Sequence, residues 1–453
     1  MNIPFLSSLK VFLPESELKT FKGGIHPGDH KSETNAVSIV DIPAPDQVII
    51  PISQHIGAPA SPCVKVGDEV LAGQKIAEAS GFISANIHSS VSGKVSAIEE
   101  RMTPTGVMST CIVIDNDGED NNEFENEPRN YKDFTPSELI DIVREAGIVG
   151  MGGAAFPTHV KLTPPEGKKI DYVIVNGAEC EPYLTSDHRA MLETPMEILT
   201  GLKILLHIFG LKTGYIGIEN NKPDAIKLLS DLALRDREYD IRIVPLKVKY
   251  PQGSEKHLIK AITGRSVPMG KLPMDVGAVV NNIDTCAAIA RAVVYGMPPI
   301  SRIVTVSGDA IKNPINARVR IGTPFSSVIE EAGGLKSHPK KVLMGGPMMG
   351  LAVPNLDVPV IKGTSGILAL SKRSAYLRDE NICIRCGKCV DACPMQLMPL
   401  YLKEAAKAED YDKLKQLDIN NCIECGSCSF VCPGANNPAQ SIKVAKMKLR
   451  NKG

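Results

Sequence analysis

"NICIRCGKCVDACP" (381–394) and "NNCIECGSCSFVCP" (420–433) carry one spacing twice, C-x2-C-x2-C-x3-C-P. The first run holds Cys383, Cys386, Cys389 and Cys393, and the second Cys422, Cys425, Cys428 and Cys432. Together they use eight of the twelve cysteines in the chain. Three thiolates separated by two residues let one turn of backbone wrap three irons of a cubane, so the fourth iron needs a cysteine from elsewhere. A structural zinc needs only four ligands and rarely uses a third cysteine at the same interval. A disulfide knot suits a small secreted chain, not a large one with the spacing of metal ligands.

In two-cluster ferredoxins the fourth cysteine of each run ligates the other cluster, and the proline after it turns the chain away. That rule assigns one [4Fe–4S] cluster to Cys383, Cys386, Cys389 and Cys432. The other falls to Cys422, Cys425, Cys428 and Cys393. The intervening "QLMPLYLKEAAKAEDYDKLKQLDI" (396–419) reads as helix and is longer than in small ferredoxins, so an α-helical ferredoxin domain is expected over 371–453. Cys63, Cys111, Cys180 and Cys286 stand alone, and buried neutral thiols are expected at Cys63, Cys111 and Cys286. Arg385 and Lys388 read as solvated surface charge.

The 453 residues are enough for about three domains. Lys plus Arg and Asp plus Glu balance at 51 each, which leaves no global basic field for nucleic acid or anionic lipid. The absence of Trp also removes stacking platforms for bases. Lys10, Pro4 and Pro14 interrupt any secretory h-region in the opening "MNIPFLSSLKVFLPESELK". The most apolar run, "GLKILLHIFGL" (201–211), carries Lys203 and His207 and falls short of the roughly 20 apolar residues of a spanning helix. A peripheral chain with no nucleic-acid partner and no membrane span of its own is expected.

After an N-terminal segment (1–36), residues 37–118 read as short strands and turns. The Val66–Val70 and Val91–Val95 turns resemble a lipoyl-like barrel sandwich, but residues 76–92 hold no lysine and the hairpin tip carries Phe82 or Ile83. A structural or docking module is expected, not a swinging arm. The acidic "DNDGEDNNEFENEPRN" (115–130) reads as linker. Between 130 and 300, helical patterns (136–146, 196–209, 225–234) alternate with the short strands 172–175, 214–218 and 277–280, which argues for a Rossmann-like α/β domain with a mainly parallel sheet. Residues 301–365 have strand, turn, strand, helix character and look like a β-grasp (SLBB) domain, with Met344, Met348 and Met349 as gap-filling core.

"AGIVGMGGAAFPTHVKL" (146–162) is Gly-rich and ends near Lys161, a composition that lets backbone amides and one point charge approach phosphate oxygens. "VIVNGAECEP" (173–182) puts Asn176, Glu179, Cys180 and Glu181 at a strand's C-terminal end, where open α/β sheets bind ligands. "KYPQGSEK" (249–256) offers Tyr250, Gly253 and Glu255, and "AVVNNIDT" (278–285) offers Asn281, Asn282 and Thr285.

"GMGGAAFPT", "NGAECEP", "YPQGSE" and "VVNNIDT", in this order, resemble the flavin and NADH segments of the NADH-binding subunit of respiratory complex I. "FKGGIHPGDHK" (21–31), "CEPYLTSDHR" (180–189) and the twin cysteine runs look more like the RnfC family of the Rnf electron-transport complex. That resemblance implies FMN contacts at Gly150, Gly152, Gly153, Lys161, Asn176, Tyr250, Gly253, Asn281, Asn282 and Thr285. It implies nicotinamide or adenine contacts at Phe156, Glu181 and Glu255, with Glu181 and Tyr250 nearest the chemistry. Met151, Ala178 and Ser254 depart from complex I, which has an arginine, an acid and a glutamate there. The implied function is that of an NAD-dependent oxidoreductase subunit. It would move electrons between NAD(H), FMN and two [4Fe–4S] clusters in an ion-translocating ferredoxin:NAD oxidoreductase. Its partners would be the other subunits of that membrane complex, including a ferredoxin-like one, with the chain peripheral on the cytoplasmic face of the cell membrane. A cobalamin reductase of propanediol-utilising microcompartments shares this layout, and a non-catalytic iron–sulfur relay is the rival of a different class.

Overall fold

Four parallel strands form the central sheet of the molecule, a computed structural model that describes residues 17–124, 127–376 and 378–452. Most of the opening stretch read above for a leader lies outside those residues. The strands lie in the order Asp240–Leu246, Thr213–Glu219, Tyr172–Gly177, Ala278–Asn282, so chain order across the sheet runs third, second, first, fourth. Side chains alternate between the faces of a strand. Val173 and Val175 therefore join the core of helices Pro195–Phe209 and Ile283–Tyr295, while Ile174 meets Leu258 and Ile259 of helix Glu255–Thr263. With both faces covered, the strands carry near-continuous Val and Ile. Helices Pro136–Glu145, Pro195–Phe209 and Pro223–Ala233 all begin on proline, whose missing N–H has no intrahelical partner to lose in the first turn.

Residues 47–116 form two small antiparallel sheets around Val48, Ile50, Ile76, Ile87, Ile112 and Ile114. Phe82 stands exposed at the hairpin tip, as expected for a module without a carrier lysine. A six-stranded mixed sheet holds the β-grasp elements, among them Ser301–Ser307, Ile315–Arg320 and Gly366–Leu370. From residue 371 on, every described element is helical, and Leu402, Leu414, Ile419 and Ile442 form the core there.

Three expectations need correction. Ile39–Asp41 is not part of the barrel; it pairs in parallel with Ile315–Arg320 as the edge of the β-grasp sheet, satisfying backbone groups that strand would otherwise leave open. The described part of the acidic stretch is not a free linker. Asn121 and Glu123 hydrogen-bond the backbone of Ala72, Phe124 covers Gly73, and Arg320 clamps Asp120. Cys63 is exposed because it follows the short edge strand Ser61–Pro62, whereas Cys111 and Cys286 are buried and burial pushes both thiols up, Cys111 to about 12.

Buried cations tie the β-grasp module to its neighbours. Arg302 binds the Asp284 carboxylate and donates to Met151 O at 2.9 Å and Thr364 O at 3.2 Å. Lys362 donates to Asn86 O and Gly147 O, both at 2.7 Å, and burial pulls its ammonium down to about 7. Removing one partner of a buried pair leaves the other charge uncompensated, which costs about 3–5 kcal/mol. Asp284 keeps Arg291 Nη2 3.6 Å from its other oxygen, so Arg302→Leu is expected to lower unfolding stability in urea by the lower end of that range, about 3 kcal/mol, and a loss below about 1 kcal/mol would show that Arg291 alone compensates Asp284.

Candidate functional site

The strand order reverses between Tyr172–Gly177 and Ala278–Asn282, and the crevice beyond such a reversal is where open α/β sheets take ligands. Asn176 and Asn282 are register partners at this point, with Asn281 one residue earlier. The Gly-rich loop closes over it. Gly150 N–H donates to Phe156 O at 2.8 Å, and Met151 N–H donates to Thr285 Oγ1 at 2.9 Å. A Cβ on Gly152 would stand 2.5 Å from Asn282 Nδ2, so glycine is required there, while Gly153 faces open space. Asn282 itself is engaged on both sides: Oδ1 accepts from Asp284 N–H at the helix start, and Nδ2 donates to Asp187 Oδ2 at 2.7 Å. Thr285 and Asn282 thus brace the loop with their side chains.

The other stretches are cross-linked at the same edge. Asn176 Nδ2 donates to Gly253 O at 2.8 Å, and Gly253 N–H donates to Cys180 Sγ at 3.3 Å. Lys161 Nζ donates to Glu255 Oε1 at 2.8 Å and to Val280 O at 3.1 Å. Phe156 is half-buried beside them. Asn281 Nδ2, Thr158 Oγ1 and Gln252 Nε2 are buried with no hydrogen-bond partner among the described residues. An unpaired buried polar group costs about 1–3 kcal/mol, and Asn281 is the one of the three at the end of a sheet strand, whereas Thr158 opens helix Thr158–Leu162 and Gln252 accepts from Thr20 Oγ1 through its oxygen. An open donor at that strand end fits a polar, phosphate-bearing ligand such as FMN.

Glu181 is differently placed. Its carboxylate accepts from Met348 N–H at 3.1 Å and Met349 N–H at 2.9 Å, with Tyr250 OH 3.5 Å away. Gly346 lies so close that a Cβ there would sit 2.2 Å from Glu181 Oε2. Burial pushes the Glu181 carboxyl up to about 7 against the pull of those two amides. Met348 joins the apolar junction around Tyr250, while Met349 is exposed, so not all three methionines fill core.

Two lysines escaped the sequence reading. Lys31 donates to Glu179 O and Glu181 O, both at 2.9 Å, and to Leu184 O; burial lowers its pKa, opposed by Glu179. Lys222 donates to Ala178 O at 2.7 Å and sits 3.7 Å from Glu219. Together they fix the turn 178–184. Lys31 was legible only as part of "FKGGIHPGDHK", because an isolated lysine in a loop gives no periodic sign of burial.

In the C-terminal domain, Cys383, Cys386, Cys389 and Cys432 line one cavity, and Cys393, Cys422, Cys425 and Cys428 line another. The fourth cysteines are exchanged between the runs. Backbone repeats with them: Arg385 and Glu424 have φ of +54° and +58°, Gly387 and Gly426 +79° and +78°. Among the described residues no three Cys, His, Asp or Glu side chains converge on a single ion. Burial pushes the Cys422 and Cys428 thiols up to about 11 and about 12, so it takes a bound cation to hold them as thiolates. Both donor sets suit [4Fe–4S] cubanes.

The two centres meet at Tyr250. Its hydroxyl donates to Cys425 O at 2.8 Å, and Tyr250, Ile25, Ala392 and Cys425 form one buried apolar cluster. His257 Nε2 lies 3.0 Å from Pro394 O, the proline that follows Cys393. By contrast, Cys383 and Cys386 are exposed, as are their neighbours Ile382 and Ile384.

Comparison with known proteins agrees module by module. Residues 19–119 match the RnfC barrel sandwich hybrid domain, 143–291 the Nuo51 FMN-binding domain, 303–352 the SLBB domain and 375–443 the 4Fe-4S dicluster domain. The chain is 50% identical over 401 residues to the C subunit of the proton-translocating ferredoxin:NAD(+) oxidoreductase complex of Clostridium ljungdahlii, covering 88% of this chain and 87% of that one. It is 48% identical over 431 residues to the C subunit of the Na(+)-translocating complex of Acetobacterium woodii, covering 95% and 97%. The C subunit of the ion-translocating oxidoreductase complex of Vibrio cholerae is 41% identical over 413 residues, 90% of this chain and 53% of that longer one. A solved structure of an NAD+-reducing [NiFe]-hydrogenase shares the fold at a TM-score of 0.51 and 18% identity, over 68% of this chain and 63% of that one.

Two filled cubanes would give about eight irons and eight sulfides per chain. Cys432→Ser is expected to impair the cluster of Cys383, Cys386 and Cys389 and to spare the one beside Cys425. EPR of the reduced variant reads this directly, and loss of only the Cys425 signal would contradict the exchanged assignment.

Proposed function

The chain belongs to the RnfC family, the C subunits of ion-translocating ferredoxin:NAD(+) oxidoreductase complexes, and we propose that it is the NAD(H)-, FMN- and iron–sulfur-binding electron-transfer subunit of such a complex. The observation that carries this reading is the unpartnered, buried Asn281 Nδ2 at the sheet's reversal point, with Tyr250 reaching from the same edge to Cys425. When bound, FMN exchanges a hydride with the nicotinamide and passes electrons singly to the clusters.

The residues divide the work. The amides of Gly152 and Gly153, together with Lys161, would hold the phosphate, those of Gly150 and Met151 being engaged by Phe156 O and Thr285 Oγ1. Asn176, Asn281 and Gly253 would line the flavin, with Tyr250 at its cluster side and Asn282 and Thr285 bracing the loop. Phe156 and Glu255 would face the nicotinamide or adenine. Glu181, held by the Met348 and Met349 amides and pushed up to about 7 by burial, is the carboxyl able to hold a proton near neutral pH. Cys393, Cys422, Cys425 and Cys428 would hold the cluster on the Tyr250 side. Cys383, Cys386, Cys389 and Cys432 would hold the other near the exposed surface, where another subunit, a ferredoxin-like one by the family resemblance, would dock. Identity to these C subunits over most of the chain favours this reading over a cobalamin reductase, and the unpartnered Asn281 favours it over a relay with an empty flavin fold.

No helix among the described residues is long and apolar enough to cross a membrane, so attachment through protein contacts on the cytoplasmic face is proposed, where NAD is available. Chaotrope washing is expected to release the chain from membranes without detergent, and recovery only in detergent when expressed alone would contradict peripheral attachment.

FMN is expected to be non-covalent and released on denaturation. Lys161→Ala removes a charge-assisted bond worth about 1.5–3 kcal/mol and should weaken FMN binding about 10- to 100-fold by fluorescence titration. Unchanged affinity would move the phosphate elsewhere. Glu181→Gln should keep the flavin but slow NADH oxidation; an unchanged rate removes Glu181 from the nicotinamide side.

A further inference from the structure

Residues 19–31 run as an extended strap past everything the proposed electron path uses. Lys19 begins it beside the strand end at Leu246, and Lys31 ends it in the carbonyls of the 179–184 turn. Between these anchors the strap lies between the parallel-sheet domain and the iron–sulfur domain. On one side Ile25 and Tyr250 exchange both backbone hydrogen bonds, at 2.8 and 2.9 Å. On the other, Gly24 N–H donates to Ala392 O at 2.9 Å. Two adjacent glycines make this possible. Gly23 has φ +82° and a Cβ there would stand 2.6 Å from Cys393 O; Gly24 has φ +81° and its Cβ would stand 2.7 Å from Tyr250 O. Both positions demand left-handed backbone and lack space for a methyl group. The strap is therefore in backbone-to-backbone contact with Tyr250 and with the segment that carries Cys393.

We propose that this strap is the positioning element that sets the separation between the flavin site and the cluster of Cys393, Cys422, Cys425 and Cys428, with Gly23 and Gly24 as its register points. The inference deepens the proposed function and rests on it for the identity of the donor. Tyr250 reaches the iron–sulfur domain through one hydroxyl and His257 through one ring nitrogen, on Pro394 O, side-chain contacts that fix a meeting point but not an orientation. The strap adds a second, backbone-level constraint on the other cysteine of the same donor set. Phe21, whose ring centroid is 4.5 Å from that of His257, adds a third beside Pro394. Gly24 and Ile25 touch Tyr250, but a Cβ on Gly23 would meet only Cys393 and Pro394, so a change there acts on the cluster side of the junction and not on the stretches that would bind the nucleotide.

The test uses the full chain with FMN and clusters in place, and compares Gly23→Ala and the milder Phe21→Ala with Gly28→Ala, a strap glycine whose Cβ would meet only the His30 side chain. Flavin is reduced in two ways, by NADH and by light with a sacrificial donor, and flavin and cluster absorbance are followed separately. The expected result is unchanged flavin content, iron content and flavin reduction in all three variants. Subsequent cluster reduction should slow about 10- to 100-fold in Gly23→Ala, less in Phe21→Ala and not in Gly28→Ala, the scale on which about 1 Å of misplacement costs rate. Hydrogen exchange on the flavin-free chain gives an independent readout: the Ile25 and Tyr250 amides should lose protection in Gly23→Ala while the strands Tyr172–Gly177 and Ala278–Asn282 keep theirs. Cluster reduction at the parent rate in both Gly23→Ala and Phe21→Ala overturns the proposal, as does unchanged exchange. Failure of NADH, but not of light, to reduce the flavin in the parent chain overturns the NAD reading instead, and the light-driven comparison then still decides the role of the strap.

Discussion

The hydrogen bond from Tyr250 OH to the carbonyl of Cys425 joins the two halves of the molecule's chemistry inside an apolar junction. A two-electron site and a one-electron site are useful to each other only when held close, dry and in fixed register. The buried Tyr250 meets all three conditions. Its backbone is paired to Ile25, its hydroxyl to Cys425, and its loop to Asn176 through Gly253 O. Burial, reinforced by the neighbouring Glu181, keeps the Tyr250 phenol protonated, so it is a stable donor to the Cys425 carbonyl.

The surrounding architecture is pinned by buried cations on carbonyl oxygens. Lys31, Lys222 and Lys362 each bury an ammonium and direct it at two or more oxygens, most of them backbone. Such groups are costly to desolvate, and they persist where the bonds they make define one arrangement of otherwise irregular backbone. Lys31 and Lys222 fix the turn that bears Glu181, and Lys362 fixes the start of the Gly-rich loop against both the barrel and the β-grasp modules. The β-grasp domain thereby contributes to the site without chemistry of its own, through Arg302 beneath Met151 and through the amides that hold Glu181.

Periodic and motif-bearing parts of this fold were legible in the sequence. The Val and Ile runs announced three of the four parallel strands, the helical patterns fell within two residues of the helices Pro136–Glu145, Pro195–Phe209 and Pro223–Ala233, and the doubled cysteine spacing announced a helical dicluster domain. What escaped was everything decided by long-range packing. Ile39–Asp41 has an ordinary strand composition, and only the open edge of a sheet nearly 280 residues away made it a β-grasp strand. Asn121 to Phe124 looked too polar to pack, yet backbone hydrogen bonds to Ala72 need no apolar side chains. The candidate site was readable as four stretches, but not which residues in them would be left unpartnered or which, like Asn282 and Thr285, would be spent on bracing.

The most direct test of the account is an anaerobic titration of the isolated chain with NADH, read by visible absorbance and EPR. Two electrons into the flavin and one into each cluster amount to four, so about two equivalents of NADH should bleach the flavin and then both iron–sulfur signals. Bleaching of the flavin with the clusters left oxidised, by NADH and by stronger reductants delivered through the flavin alike, would contradict the claim that Tyr250 and Cys425 join one electron path.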